Sequence, residues 1–525
     1  MFALRMRRVS RRGALMATTA ATVMFGFGTA HAGVPITGVK QQSDVGTTVD
    51  PDFQGGTLQD NQNNATDNHG YVVEDFPANT IDADGHKTTF AGNFTGAGGL
   101  TITDSVGGGN VVFGAVGILG GTVLIDGGAT ATWGDGTNPA FLIGPGNAVT
   151  DNGLLVMDFG AGNVLAGQVP ISGTGAVDVH SGTFDQLGAS TYTGGTTIDA
   201  GATLQLGDGV AGEDGTVAGD IVNNGALEFN YAGAATTPGV ISGAGSVEVQ
   251  AGTAVFTGQS PTGGTVTIDS GATMQWGAGG VGFLVGLGNA VTDNGALVAN
   301  FGGGGIGGLI PISGTGTLEV QSGILNDSGV STLSGATTID AGGALGLAGA
   351  GSFASSDVID DGVLDVSGGT GGNSIKSLDG GGSVSVGANT LTLDDASGVF
   401  SGVIQDAGAF AGSGGGLTIA GGTEVLSGTN TFTGTTTIDV GATLELGFGG
   451  TTGSVAGAIV DNGVLLFNYG GAVTTPGNIS GTGDAEVTFG TAVVTGLDTI
   501  GGTVTIDPGA TLQWGAGGVG FLVGG

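Results

Sequence analysis

A short block rich in threonine and glycine recurs six times along this chain of 525 residues. One copy reads TYTGGTTIDAGATLQLG from Thr191 to Gly207, and another reads TFTGTTTIDVGATLELG from Thr431 to Gly447. The isoleucines that mark successive copies have numbers that differ by 73, 70, 71, 99 and 68. They are Ile125, Ile198, Ile268, Ile339, Ile438 and Ile506. A period of this kind is typical of repeat architectures, in which each unit is stable only when stacked on its neighbours.

Each repeat unit holds two further motifs, and each motif reads as strand, tight turn and strand. One is NAVTDNGALVANFG from Asn289 to Gly302, and the other is PISGTGTLEVQSG from Pro311 to Gly323. The turn residues that follow one another through this unit have numbers that differ by 24, 20 and 27. They are Asp269, Asp293, Ser313 and Asp340. These differences give the structural step of the chain, and one insertion accounts for the larger difference of 99.

A step of this size suits one coil of a parallel β-solenoid, in which three short strands and their corners complete a turn. Apolar and polar residues alternate within the strands, so Leu204 and Leu206 are predicted to face the core and Gln205 the solvent. The 119 glycines suit corners that need a positive φ, and the mean hydropathy of +0.32 argues against disorder. We predict an all-β, glycine-rich parallel β-solenoid of about 20 to 27 residues per coil.

The segment 1–32 has the composition of a cleaved signal peptide. Five arginines precede an apolar run from Ala14 to Ala30, and the segment ends in an A-x-A cleavage site at Ala30-His31-Ala32. We predict a signal peptide at 1–32, a polar N-terminal segment or cap at 33–79, and a repetitive β-helix at 80–525. Export by the general secretory route or by the twin-arginine route is left open.

Removal of the signal peptide would leave a strongly acidic chain. All five arginines lie within it, so the remainder holds three lysines against 44 acidic residues, a formal net charge of 3 − 44 = −41. Such a surface lacks the basic contacts that nucleic acids need, and we expect no nucleic-acid partner. The chain has no cysteine, so packing and backbone hydrogen bonds must stabilise it without disulfides.

The stretch from Asn79 to Thr103 and the threonine–glycine blocks resemble the autotransporter-associated β-strand repeat, also called the passenger-associated transport repeat, of bacterial autotransporters. The insertion from Ser374 to Gly402 is similar to another stretch that is common in such passengers. The resemblance covers most of the chain from Asn79 onward. It implies a right-handed parallel β-helix that crosses the outer membrane of a Gram-negative bacterium and is displayed on the cell surface.

The resemblance also implies an outer-membrane β-barrel translocator as a partner. Family members normally end in this barrel, whereas this sequence stops in mid-repeat at Gly525 with no barrel sequence. Its ending, GGVGFLVGG, matches Gly279 to Gly286, where the earlier copy continues. A fragment, a shortened reading frame and export through a separate partner all fit this ending.

The sequence favours a non-enzymatic stalk or adhesin-like protein over an enzyme. Without its signal peptide the chain has no arginine, and three scattered lysines cannot form the basic cluster of a polysaccharide lyase. Signatures of serine hydrolases and zinc proteases are absent from the sequence. The alternatives are a glycan-binding or glycan-degrading β-helix enzyme and a secreted matrix or aggregation protein. The surface ligand or glycan is not identified by the sequence, and self-association is left open.

Four aspartates at predicted turns are candidate ligands for calcium, and no other cofactor is expected. If the turn residues form a column, Asp126 stands one layer from Asp151, and Asp269 one layer from Asp293. Carboxylates roughly 4.8 Å apart repel each other, and a divalent cation would relieve the repulsion. The alternative is that these side chains extend into water or cap their own turns. No catalytic residue is predicted.

The histidines and tryptophans receive structural interpretations. His69, His86 and His180 stand singly and are not spaced as a metal site. The tryptophans fall where other copies of the block have leucine, so they are predicted to fill the core or its edge, with sugar stacking as the alternative. They are Trp133, Trp276 and Trp514.

Overall fold

The computed structural model describes residues 33–45, 50–142, 147–237, 239–280, 282–284, 289–475, 477–515 and 521–522. These residues form parallel strands arranged as coils of a β-solenoid, about 23 turns in all, which confirms the predicted fold class. A 3₁₀ turn at Gln42–Asp44 is the one helical element among them, and no described helix is long and apolar enough to span a membrane. The predicted signal peptide lies outside the described residues.

The chain divides into two compact units, 1–265 and 266–525. The first unit contains strands β1 to β27. In chain order these are Val34–Ile36, Val39–Gln41, Pro51–Phe53, Thr57–Gln59, Ala65–Asp67, Tyr71–Val73, Thr80–Asp82, Lys87–Phe90, Phe94–Gly96, Leu100–Thr103, Asn110–Phe113, Ile118–Leu119, Val123–Ile125, Thr130–Trp133, Val149–Asp151, Leu154–Asp158, Val164–Gly167, Ile171–Ser172, Ala176–Ser181, Thr183–Gln186, Thr196–Ile198, Thr203–Leu206, Ile221–Asn223, Ala226–Thr237, Ile241–Ser242, Ser246–Phe256 and Gln259–Ser260.

The second unit contains strands β28 to β57. In chain order these are Val266–Ile268, Thr273–Trp276, Phe283–Leu284, Val291–Asp293, Ala296–Gly308, Ile312–Gly314, Thr317–Asp327, Thr332–Leu333, Thr337–Leu347, Phe353–Asp360, Val363–Asp365, Asn373–Gly380, Ser383–Ser385, Thr390–Leu393, Val399–Phe400, Val403–Gln405, Gly416–Ile419, Thr423–Leu426, Thr429–Asn430, Thr436–Ile438, Thr443–Gly450, Ser454–Val455, Ile459–Asp461, Val464–Thr475, Ile479–Gly481, Asp484–Val494, Leu497–Ile500, Val504–Ile506, Thr511–Trp514 and Phe521–Leu522.

Strands of the first unit pair with strands one coil away. Three of its sheets follow the orders β1-β3-β6-β9-β12, β18-β15-β13-β10-β7-β4-β2 and β25-β23-β21-β19-β16-β14-β11-β8-β5. Paired residues stand 26 positions apart at Ile125↔Asp151 and 17 apart at Val34↔Pro51. The coil length in the repeats therefore agrees with the predicted step of 20 to 27 residues. The first coil is shorter than this step.

Parallel pairing begins before residue 80. Strand β1 pairs with β3, and β4 pairs with β7, in the same in-register manner as the later coils. The described strands within 33–79 are thus joined to the coils by backbone ladders, and pairing does not change at the boundary predicted from composition.

The recurrent IDxGAT block forms a four-residue turn between two strands. In the copy between β21 and β22, the N–H of Ala202 donates to the carbonyl oxygen of Asp199 at 3.0 Å. Gly201 has a φ of +89°, a conformation that L side chains rarely adopt. The turn chemistry therefore requires glycine at this position of the block.

Side chains alternate between core and solvent as the pattern predicts. Leu204 and Leu206 are buried, while Gln205 is half-buried and donates its Nε2 hydrogen to the carbonyl oxygen of Gly207 at 2.8 Å. Trp133 and Trp276 are fully buried, so their rings fill the core and are not available for sugar stacking. Trp514 is 41% exposed.

Candidate functional site

A buried aspartate recurs at a second, shorter kind of turn, in which only two residues separate the aspartate from the next strand. Each of these aspartates ends a strand, and its Oδ1 accepts a hydrogen bond of 2.9 to 3.0 Å from the N–H of the glycine two residues later. The other carboxyl oxygen is buried and finds no hydrogen-bond partner among the described residues. We call the four residues the turn aspartates; they are Asp151, Asp293, Asp360 and Asp461, and each is at most 1% exposed.

A fifth coil carries the amide counterpart of this position. Asn223 is fully buried, and its Oδ1 accepts from the N–H of Gly225 at 3.1 Å. Its Nδ2 donates to the carbonyl oxygen of Ser246 at 2.8 Å. The amide therefore both accepts the hydrogen bond from the glycine and donates one to the next coil, whereas a carboxylate can only accept. A protonated carboxyl group regains a donor and can take the place of the amide.

Burial shifts the proton affinity of the turn aspartates accordingly. It raises the pKa of Asp151, Asp293 and Asp461 from the usual 3.8 to about 6, and that of Asp360 to about 7, although the glycine N–H bond acts in the opposite direction. The negative charges of Asp361 and Asp484 add to the increase at Asp360 and Asp461. These carboxyl groups are thus partly protonated in mild acid.

A glycine one coil further on makes room for each turn aspartate. A Cβ atom at Gly175 would lie 2.5 Å from Cγ of Asp151, and one at Gly316 would lie 2.3 Å from Oδ1 of Asp293. Such separations are below van der Waals contact, so a side chain there must displace the acid or the coil. The second glycine of the SGTG motif is therefore a packing requirement.

We expect Gly175→Ala to lower the free energy of unfolding by about 2 kcal/mol, because overpacking a closed site typically costs roughly 1 to 3 kcal/mol. Gly127→Ala is the matched control, since its added Cβ would meet only a carbonyl oxygen at 3.7 Å. Urea unfolding of the two variants measures the difference. Equal midpoints would contradict the close packing of Gly175 on Asp151.

The strand register corrects the predicted aspartate column by one residue. Asp151 pairs with Ile125, and Asp293 pairs with Ile268, so neither turn aspartate stands opposite the aspartate that opens the preceding four-residue turn. Asp126 and Asp269 are half-buried at the coil surface. The two members of each predicted calcium pair therefore differ in exposure. Calcium binding by Asp126, Asp151, Asp269 or Asp293 stays a prediction.

A shallow groove of about 300 Å³ runs along the outer face of the first unit. Its floor consists of outward residues stacked in register on strands β8, β11, β14, β16 and β19. The lining residues are Lys87, Thr89, Asn110, Val112, Thr132, Asp135, Val156, Asp158, Asp178 and His180. Hydroxyl, amide and carboxylate groups thus line the groove side by side across several coils.

Three side chains converge at one end of this groove. Asp178, His180 and Asp199 each offer a ligand atom, and these atoms all lie within 4.8 Å of one another. The Nδ1 atom of His180 lies 2.7 Å from Oδ2 of Asp199. Burial, followed by the negative charge of Asp199, raises the pKa of Asp178, although His180 acts in the opposite direction; the negative charge of Asp158 adds to the increase.

The interpretation that the histidines are not spaced as a metal site stays a prediction, but the structure places His180 beside two carboxylates that sequence reasoning did not connect with it. The missed signal was Asp178-Val179-His180 on one strand with Asp199 at the end of the strand one coil later. Residues i and i+2 of a strand share a face. His69 forms a comparable contact of 2.6 Å with Oδ1 of Asp67. His86 has a buried Nδ1 that finds no hydrogen-bond partner within the described part of the chain.

The sequence comparisons give one informative match. No family model matches the chain. A segment of 159 residues, 29% of this chain, is 33% identical to Adhesin BmaC autotransporter of Brucella suis biovar 1 (strain 1330). The match spans 4% of the length of that adhesin. This similarity and the parallel β-solenoid fit an autotransporter passenger with β-strand repeats.

Proposed function

We propose that this chain is an exported, surface-displayed passenger that acts as a non-enzymatic stalk or adhesin-like protein. The observation that carries the proposal is the match of a segment of 159 residues to part of an autotransporter adhesin. An outer-membrane β-barrel translocator is the partner that this route of export needs. The long ladders of outward side chains offer a repeated surface on which a ligand can be bound without any catalytic group.

The net negative charge of the chain restricts the class of ligand that it can bind. The segment after the predicted signal peptide carries 44 acidic residues against three lysines. Anionic polysaccharides and anionic membranes are repelled by such a surface, whereas neutral glycans and basic proteins are not. The outward hydroxyl and amide groups of the groove suit a neutral glycan, which is recognised mainly through hydrogen bonds.

Antibody labelling of intact cells of the organism that encodes the chain tests display. We expect labelling of unpermeabilised cells and its loss after external protease treatment. Deletion of the gene should lower attachment to cultured epithelial cells several-fold without changing growth. Labelling restricted to permeabilised cells would overturn surface display, and unchanged attachment would overturn the adhesin-like function.

The groove gives one specific reason to test a glycan-degrading enzyme as the second candidate. It brings Asp135, Asp158 and Asp178 to one surface, and glycosidases use paired carboxyl groups. Burial would raise the pKa of Asp135, but hydrogen bonds from Thr137 and Asn138 outweigh it and lower the pKa, in contrast to Asp178. Release of reducing sugar from neutral polysaccharides, lost in Asp178→Asn, would favour the enzyme over the adhesin.

A further inference from the structure

The Asp178, His180 and Asp199 cluster is built by two neighbouring coils. Asp178 and His180 lie on β19, Ala176–Ser181, and Asp199 follows β21, Thr196–Ile198. The pairing Asp178↔Thr197 continues through Val179↔Ile198, which brings Asp199 beside His180. The backbone ladder therefore sets the spacing of the three side chains, and no long flexible segment has to fold to assemble them.

The cluster leaves coordination capacity unused. The Oδ1 atom of Asp178 is buried and has no hydrogen-bond partner among the described residues. A carboxylate with an orphaned oxygen beside a second carboxylate is costly, and a cation bound to the cluster would relieve the repulsion between the two carboxylates. The side chains of His180 and Asp199 are 55% and 38% exposed, so an ion can reach them from solvent.

A second His–Asp contact in the same unit differs in the number of hydrogen-bond donors that surround its carboxylate. At His69, the carboxylate of Asp67 also accepts from the hydroxyl of Tyr71 at 2.7 Å and from Nε2 of Gln42 at 3.0 Å. That carboxylate is saturated by protein donors and needs no cation. The described residues supply no such set of donors to the buried oxygen of Asp178.

We propose that Asp178, His180 and Asp199 form a binding site for one divalent transition-metal ion, such as Zn²⁺, on the outer face of the first unit. The site goes beyond the proposed adhesin-like function. Two carboxylates and an imidazole suit Zn²⁺, Ni²⁺ or Cu²⁺, whereas calcium prefers six to eight oxygen ligands. Ligand atoms around a tetrahedral zinc ion stand roughly 3.3 Å apart, so rotations of the exposed side chains of His180 and Asp199 can bring the three ligand atoms to this separation. Water completes the coordination.

Calorimetric titration of the purified full chain with Zn²⁺ tests the site. We expect one strong site per chain, and at least a tenfold loss of affinity in His180→Asn and in Asp178→Asn. His69→Asn is the matched control and should bind Zn²⁺ as the parent chain does. Zinc should also raise the thermal midpoint of the parent chain and of His69→Asn but not that of His180→Asn.

Any of three results would overturn the site. One is Zn²⁺ binding of equal affinity in the parent chain and in His180→Asn, with both proteins giving the same circular dichroism spectrum. A second is a site that binds calcium as tightly as it binds zinc, because the general attraction of cations to the acidic surface does not depend on an imidazole. Loss of binding in His69→Asn as well would also contradict the assignment.

Discussion

Replacement of Leu204 by aspartate should lower the free energy of unfolding of the first unit by at least about 4 kcal/mol, because it removes a buried leucine and buries an unpaired charge. Leu204 is 1% exposed and lies in register between Phe184 and Leu227, both of which are buried. The loss should spread to the neighbouring coils, since each coil buries its core against the next. Urea unfolding followed by circular dichroism measures it.

The adjacent position provides the control. Gln205→Asp should cost about 1 kcal/mol, because a half-buried carboxylate gains partly screened repulsion from its neighbours and loses the hydrogen bond to Gly207. Those neighbours are Asp185 and Glu228, which pair in register with Gln205. Similar losses at positions 204 and 205 would mean that the assignment of inward and outward faces is wrong.

The turn aspartates should make the protein more stable in mild acid than at neutral pH. Their folded pKa of about 6 to 7 exceeds the usual 3.8, so the folded state binds more protons than the unfolded state between these values. Stability is therefore lost as the pH rises from about 4 to about 7. A pKa shift of two units corresponds to roughly 3 kcal/mol, and the larger shift of Asp360 to roughly 4 kcal/mol.

Two opposite substitutions in the first unit isolate this contribution. Asp151→Asn should stabilise the protein at pH 7.5 and have little effect at pH 4, because the amide mimics the protonated acid. Asn223→Asp should destabilise it at pH 7.5 and much less at pH 4. Comparison of each variant with the parent at the same pH removes the contribution of other acids, such as Asp104, whose pKa is lowered by backbone hydrogen bonds that outweigh its burial. Effects that do not change with pH would contradict ionisation as the cause.

One acid in the core of the second unit should behave in the same way. Glu424 is fully buried on β45, and burial, followed by the negative charge of Asp379, raises its pKa well above the usual range. It pairs in register with Leu444 of the next coil. Alternation of apolar and polar residues does not predict an acid at this position, because its register partner is a buried leucine.

The periodicity of the sequence was sufficient to predict the fold. It was not sufficient to predict which residue stands at each position of every turn. The sequence treats Asp126 and Asp151 as equivalent turn residues, yet they begin different connections. Four residues separate Ile125 from the next strand at Thr130, whereas two separate Asp151 from Leu154. The shorter turn leaves its aspartate on the strand with an inward side chain. The side-chain bond to Gly153 and the space above Gly175 complete that arrangement, and neither is visible from spacing alone.

The candidate metal cluster was missed for a related reason. His180 and Asp199 are 19 residues apart, and only the coil register brings them together. A break in the pairing next to Met157 also aligns Asp158 with Ser181, so strict alternation does not hold at this end of β19. Local sequence therefore predicted which residues face outward, whereas contacts between coils required the backbone ladder.

Disulfide trapping tests the in-register stacking of coils most directly, because the chain contains no cysteine of its own. Thr197 and Val222 are register partners on adjacent strands, and both side chains point outward. Adjacent strands lie roughly 4.8 Å apart, within the Cα separation that a disulfide accepts. The pair Thr197→Cys and Val222→Cys should oxidise rapidly in the folded protein, and Thr197→Cys with Asn224→Cys should not. Equal oxidation of both pairs, or preference for the second pair, would contradict the β-solenoid register.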